Sequence, residues 1–180
     1  GIQRQWEGVN GIEKAYPVLR AVTEFEKLRM SRISHPLYPN IKNAIPCMVG
    51  AFEAGSYNSA FPDTALLKGS LATVPGEDSD AVKAEFTSFV RQHVASDSWL
   101  AEHPPEIVFT GYFAVPSEIP VDSPIVQTLS GKFQELTGQK PEICGREGAA
   151  DIRFLNLPGE TPTVIFGPGK TEQMHANNEW

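Results

Sequence analysis

A proline-rich connector, PSEIPVD at residues 116–122, divides this chain into two stretches that follow different folding rules. Beyond it, Ser123 and Pro124 form an N-cap and first-turn pair. Ile125, Val126, Leu129, Phe133 and Leu136 recur at helical spacing until Gly138 stops the helix. A short strand from Ile143, a short helix after Asp151 and a buried strand at 163–166 complete the pattern. Helix, strand, helix, strand is the grammar of a parallel α/β domain, yet residues 116–180 are too few to bury a doubly wound sheet alone. This stretch is therefore expected to be an incomplete α/β segment.

The first stretch reads differently. Residues 10–30 form an amphipathic helix capped by Asn10, with Ile12, Ala15, Leu19, Val22 and Phe25 on its apolar face. Pro17 lacks a backbone donor, so the helix either kinks there or begins there. Residues 31–43 are a polar, proline-punctuated loop in which His35 is a solvent histidine. Residues 44–53 and 63–74 read as strands joined by the turn-rich GSYNSAFP, and Pro46 puts the first at an edge or bulge. The acids of PGEDSD suit a helix start. Val82, Phe86, Phe89, Val90 and Val94 then form a stripe beside which His93 packs or is solvated. Residues 95–105, with His103, read as loop. Residues 106–115 alternate, with Ile107, Phe109, Phe113 and Val115 on one face of a strand. Helix, two strands, helix and strand fit an α+β two-layer sandwich, an antiparallel sheet with two helices on one face.

Composition excludes several classes of function. A net charge of -7 argues against a nucleic-acid partner or an anionic membrane surface. No apolar run reaches the roughly 18 residues of a membrane span, and GIQRQWEG lacks a signal-peptide core. Cys47 and Cys144 lie outside any paired spacing and read as free thiols, which fits a reducing cytoplasm.

The chemistry is expected within residues 145–180. A Gly/Ala-rich loop, GREGAA, runs into Asp151. The strand at 163–166 ends in a Gly-Pro-Gly turn, and a loop follows with His175 and, four residues on, Glu179. A strand, a tight turn and a histidine beside acidic and amide groups are how an α/β enzyme offers a metal ligand at its strand ends. The GPGKT at 167–171 is not a phosphate-binding loop, because the glycine that motif needs is Val164 here.

GREGAADIRF, TVIFGPG and MHANNEW, in this order and spacing, resemble the zinc amidohydrolase and peptidase family of acetylornithine deacetylase, succinyl-diaminopimelate desuccinylase, aminoacylase and carboxypeptidase G. Upstream, EGVNGIEKA, FPDTALLKGSLATVPGED and DSPIVQTLSGKFQELTGQKPEI are similar to the family's entry into its lid domain, a lid strand and the return to the catalytic domain. The resemblance implies that residues 1–115 are a βαββαβ-like lid that forms a homodimer. Residues 116–180 would be the C-terminal part of the catalytic domain. It implies zinc as cofactor, two ions in the intact parent, and amide cleavage by metal-activated water on a small N-acyl amino acid or peptide. On the same map His175 is a metal ligand and Asp151 an orienting or structural residue. Gly148 and Ala149 lie on a loop whose backbone approaches the substrate. Gly167 and Gly169 lie in the turn beside the metal.

The sequence also departs from that pattern. The family's His-x-Asp ligands, bridging Asp and Glu-Glu pair have no counterpart, so the general base is expected in a missing N-terminal half. Ala72 stands where many members put an Arg that binds a substrate carboxylate, and Ala150 where a Thr precedes the loop Asp. These differences resemble a deacylase-like branch. Arg146, Arg153 and Lys170 are the cations near the site loops, each equally readable as a solvated surface charge. The chain is accordingly expected to be an inactive fragment of a zinc deacylase or peptidase, with a non-enzymatic dimerising module as the alternative.

Overall fold

The computed structural model describes residues 2–167 together with 173 and 177. The chain divides into two compact units, Gly1–Pro116 with Cys144–Ala149, and Ser117–Ile143 with Ala150–Trp180.

The first unit is built on helix α1, Gly11–Arg32. The Asn10 side chain accepts a hydrogen bond from the Ile12 amide at 3.0 Å, satisfying one orphan donor of the first turn. Glu13 near the start and Arg29 and Arg32 near the end complement the helix dipole. Pro17 lies inside α1, which is one element from Gly11 onward. The helix therefore does not begin at the proline: burial of Ala15, Ala21, Val22 and Phe25 on both sides of it offsets one missing backbone bond.

A short helix α2, Ile41–Ala44, precedes strand β1, Cys47–Ala54, which pairs antiparallel with β2, Ala65–Leu71. The register runs from Cys47 opposite Leu71 to Ala54 opposite Ala65, with an irregularity between Val49 and Ala51. Pro46 falls just before the first strand, so its missing donor costs the ladder nothing. Helix α3, Ser79–Val94, follows. The Asp78 carboxylate caps it by accepting from the amides of Asp80 and Ala81 at 2.8 and 3.1 Å. A further short helix, α4 at Ser98–Glu102, lies where the sequence reads as loop. Asp97 caps it and pairs with Lys14 of α1 at 2.7 Å. The Lys14 ammonium, with help from the Leu100 amide, holds the Asp97 carboxyl below its usual range.

The core of this unit lies between α1, α3 and one face of the β1–β2 pair. Val22, Phe25 and Cys47 are buried together, with Val49, Leu71, Phe86 and Phe89 around them. Phe25 meets Phe86 edge-on and Phe89 tilted, each at a centroid distance of 5.3 Å. Such aromatic pairs add about 0.5–1.5 kcal/mol each beyond the area they bury. Ala21, Val90, Val94 and Leu100 form a second cluster, and Ala44, Ile45 and Val74 a third.

Residues 106–115 do not join the ladder, and among the described residues the sheet has two strands. The apolar face read from their alternation is nonetheless used. Ile107 packs on the second cluster, Phe109 meets Phe86 at 6.1 Å, and the Lys83 ammonium lies 4.3 Å from the Phe113 ring centroid.

In the second unit, α5 at Pro124–Thr137 ends at Gly138, and α6 at Ile152–Asn156 follows Asp151. Residues 163–166 are not a buried strand. Ile165 and Phe166 are exposed, and the start of the segment is held by the Asn156 side-chain amide, which accepts from the Thr163 amide at 2.7 Å and donates to its carbonyl at 3.3 Å. Phe166 meets Phe133 of α5 edge-on at 5.9 Å.

Candidate functional site

The glycine-rich loop is anchored within the first unit by a tight turn between α1 and α2. In that turn the Tyr38 amide donates to the His35 carbonyl at 3.0 Å, and the Leu37 amide donates to His35 Nδ1 at 3.2 Å. The His35 and Tyr38 rings meet edge-on at 5.1 Å. The Gly145 amide donates to the Leu37 carbonyl at 2.7 Å, and the Tyr38 hydroxyl reaches the Arg146 carbonyl at 3.4 Å. The Tyr38 ring occupies the place where a Cβ on residue 145 would stand, so a larger residue there would have to displace the ring. Farther along, Gly148 has φ +89°, a conformation L side chains rarely adopt, and it and Ala149 are exposed.

Asp151 and Gly167 belong to the second unit. The Asp151 side chain is exposed and does not cap α6; its carboxylate accepts from Arg153 Nη1 at 3.3 Å. Arg153 is not a solvated surface charge. It is buried, donates to the Ala150 carbonyl at 2.9 Å and lies 4.1 Å over the Phe154 ring. Gly167 is exposed, with open space where a Cβ would point. His175, Gly169 and Lys170 lie outside the described residues.

A buried ion pair sits at the junction of β2 and α3. Arg29 is fully buried, and its Nη2 donates to both Glu77 carboxylate oxygens at 2.8 and 2.6 Å. Its Nη1 donates to the Ala72 carbonyl at 2.6 Å, and Glu77 also accepts from the Val74 amide at 3.0 Å. The position at which many family members present a cation is thus alanine here, with its carbonyl turned to a cation that is already neutralised. The sequence signal was available: Arg29 follows Val22 and Phe25 on the buried face of α1, where a charge requires a partner.

The remaining histidines are engaged in packing. His93 stacks on Phe89 at 5.8 Å and His103 on Trp99 at 4.6 Å. Among the described residues, no three His, Cys, Asp or Glu side chains come together as a metal shell. These residues therefore do not by themselves fit a zinc site. None of their helices is long and apolar enough to cross a membrane.

The family is given by sequence: residues 13–180 match the peptidase family M20/M25/M40. The chain belongs to that family. Among its relatives is an N-formyl-4-amino-5-aminomethyl-2-methylpyrimidine deformylase of Halalkalibacterium halodurans, 26% identical over 181 aligned residues that cover 96% of this chain. A protein of the same name from Bacillus subtilis is likewise 26% identical over 96% of the chain. The chain spans 42% of the length of each of these curated relatives.

Proposed function

We propose that the full polypeptide is a metal-dependent amide hydrolase that removes a small acyl group, formyl foremost, from an amine substrate. The observation that carries this reading is the family match across 13–180, with two relatives whose names denote deformylases. The Arg29–Glu77 pair supports the choice of substrate. Position 72 presents no side-chain cation, and Arg29 beneath it is already neutralised. An N-acyl amine without a carboxylate suits that surface better than an N-acyl amino acid, because a buried carboxylate needs a cation or several donors.

In this reading, residues 1–115 serve as lid and homodimer contact, and residues 116–180 contribute one edge of the catalytic domain. Gly148 and Ala149 approach the substrate by their backbone, Asp151 is an orienting or structural residue, and Gly167 and Gly169 shape the turn. His175 is a zinc ligand whose partners lie in the rest of the polypeptide.

The test is to incubate the full-length polypeptide with an N-formyl arylmethylamine and with N-acetyl amino acids, reading formate or acetate release. Preferential release of formate is expected, with His175→Ala lowering both turnover and bound zinc. Preference for the carboxylate-bearing substrates would overturn the substrate assignment. A well-folded dimer that cleaves neither would point to a dimerising module.

A further inference from the structure

We propose that Tyr38 is a positioning residue, and that its ring, seated at Gly145, sets where the glycine-rich loop presents Gly148 and Ala149. This inference rests on the reading of that loop as the part whose backbone approaches the substrate.

The geometry separates an anchored root from an exposed tip. At the root, the Tyr38 ring fills the place of the absent Cβ, the Gly145 amide is bonded to Leu37, and the Arg146 carbonyl is met by the Tyr38 hydroxyl. Tyr38 is itself held from behind. It packs against the cluster of Ala44, Ile45 and Val74, and its backbone closes a turn onto His35. The root is thus tied to the same core that carries the β2–α3 junction, through Val74. At the tip, Gly148 and Ala149 are exposed, and Gly148 holds a conformation that fixes the direction of the chain. A loop clamped at one end transmits a displacement of its root to its tip. The ring is the larger part of the clamp, because the hydroxyl contact is long for an O–H donor and adds little.

The reciprocal shape of ring and notch gives the test. In the full-length polypeptide, Gly145→Val should raise KM for the N-formyl amine by about tenfold or more, with a smaller change in kcat, because substrate placement is disturbed while the reacting groups remain. Tyr38→Ala should do the same by emptying the notch. Tyr38→Phe, which keeps the ring, should retain most of kcat/KM. The double variant Tyr38→Ala/Gly145→Val should recover part of what Gly145→Val alone loses, since residues in direct contact are non-additive. Wild-type KM in both single variants, or strictly additive losses, would overturn the proposal.

Trypsin cleavage after Arg146 in the native protein gives a readout independent of turnover. It should accelerate about tenfold in Tyr38→Ala and little in Tyr38→Phe, by the local opening that releasing the root permits. An unchanged rate in Tyr38→Ala would sink the clamp even where hydrolysis is observed. Accelerated cleavage of Tyr38→Ala alongside a wild-type polypeptide that hydrolyses no amide would sink the functional reading and leave the clamp.

Discussion

Cys47 is 2% exposed at the head of β1, and its thiol is pushed from an ordinary 9.0 to about 11. Burial is the main cause, Glu26 adds to it, and Arg29 opposes it. Between those two pH values the folded protein holds a proton that the unfolded chain has released, so stability falls as pH rises through the window and is fully present below it. The loss is on the order of 2 kcal/mol after allowing for solvent screening. The stability advantage of wild type over Cys47→Ala, measured by urea unfolding, should therefore shrink steadily from pH 9 to 11. A difference that stays constant across that range would contradict the burial argument. Single residues also show where sequence reading stops. The apolar spacing of α1 was legible as far as Phe25, but Arg29 continues the same face only because Glu77, far along the chain, neutralises it. The acid itself was readable as a helix-start residue; its actual bonds are both long-range, to Arg29, and local, to the Val74 amide.

At the scale of elements, helix ends were legible because their determinants are adjacent in sequence. Asn10 before α1, Pro124 in the first turn of α5 and Gly138 after it all act within one turn, whereas Ser123 stands at the start of α5 without making a side-chain cap bond. Asp78 belongs with them: its carboxylate serves two amides of the first turn of α3. Asp78→Ala should cost about 1 kcal/mol in chemical denaturation, and Asp78→Ser should recover most of it. An alanine variant as stable as wild type would show that the packing of α3 on α1 holds it without the cap. Strands were less legible. The alternation of residues 106–115 picks out Ile107, Phe109 and Phe113, which meet α3, but Phe109, Phe113 and Val115 stay exposed, and alternation does not reveal whether a neighbour offers backbone partners. Residues 163–166 make the same point, since the Thr163 backbone is bonded by the Asn156 side chain and Phe166 meets the Phe133 ring instead of a neighbouring strand. Helix α4 was missed because its one strong signal, Asp97 as a cap, sits in a short polar run that also reads as loop.

The two units of the whole molecule differ in how much apolar surface each can bury. The first contains three buried clusters, each touching α1, two of them including α3 and one the strand pair. In the second, Val126 is the buried apolar side chain among the described residues, while Leu136 is 87% exposed, Phe154 55% and Phe166 58%. A segment so short cannot offset its chain entropy with so little burial, which is the same argument the connector at 116–122 raised from sequence alone. Large exposed apolar side chains in a folded protein mark a surface made for contact. The 180-residue chain, expressed by itself, should therefore be cut by thermolysin within the second unit well before α1 and α3 are lost, leaving a protected core that contains Gly1–Pro116. The same residues within the full-length polypeptide should resist cleavage and bind less of a dye that reports exposed apolar surface. Equal protection of both units in the 180-residue chain would mean that α5 and α6 find sufficient burial without the rest of a catalytic domain. That result would also remove the physical reason for assigning residues 116–180 to the edge of a larger site.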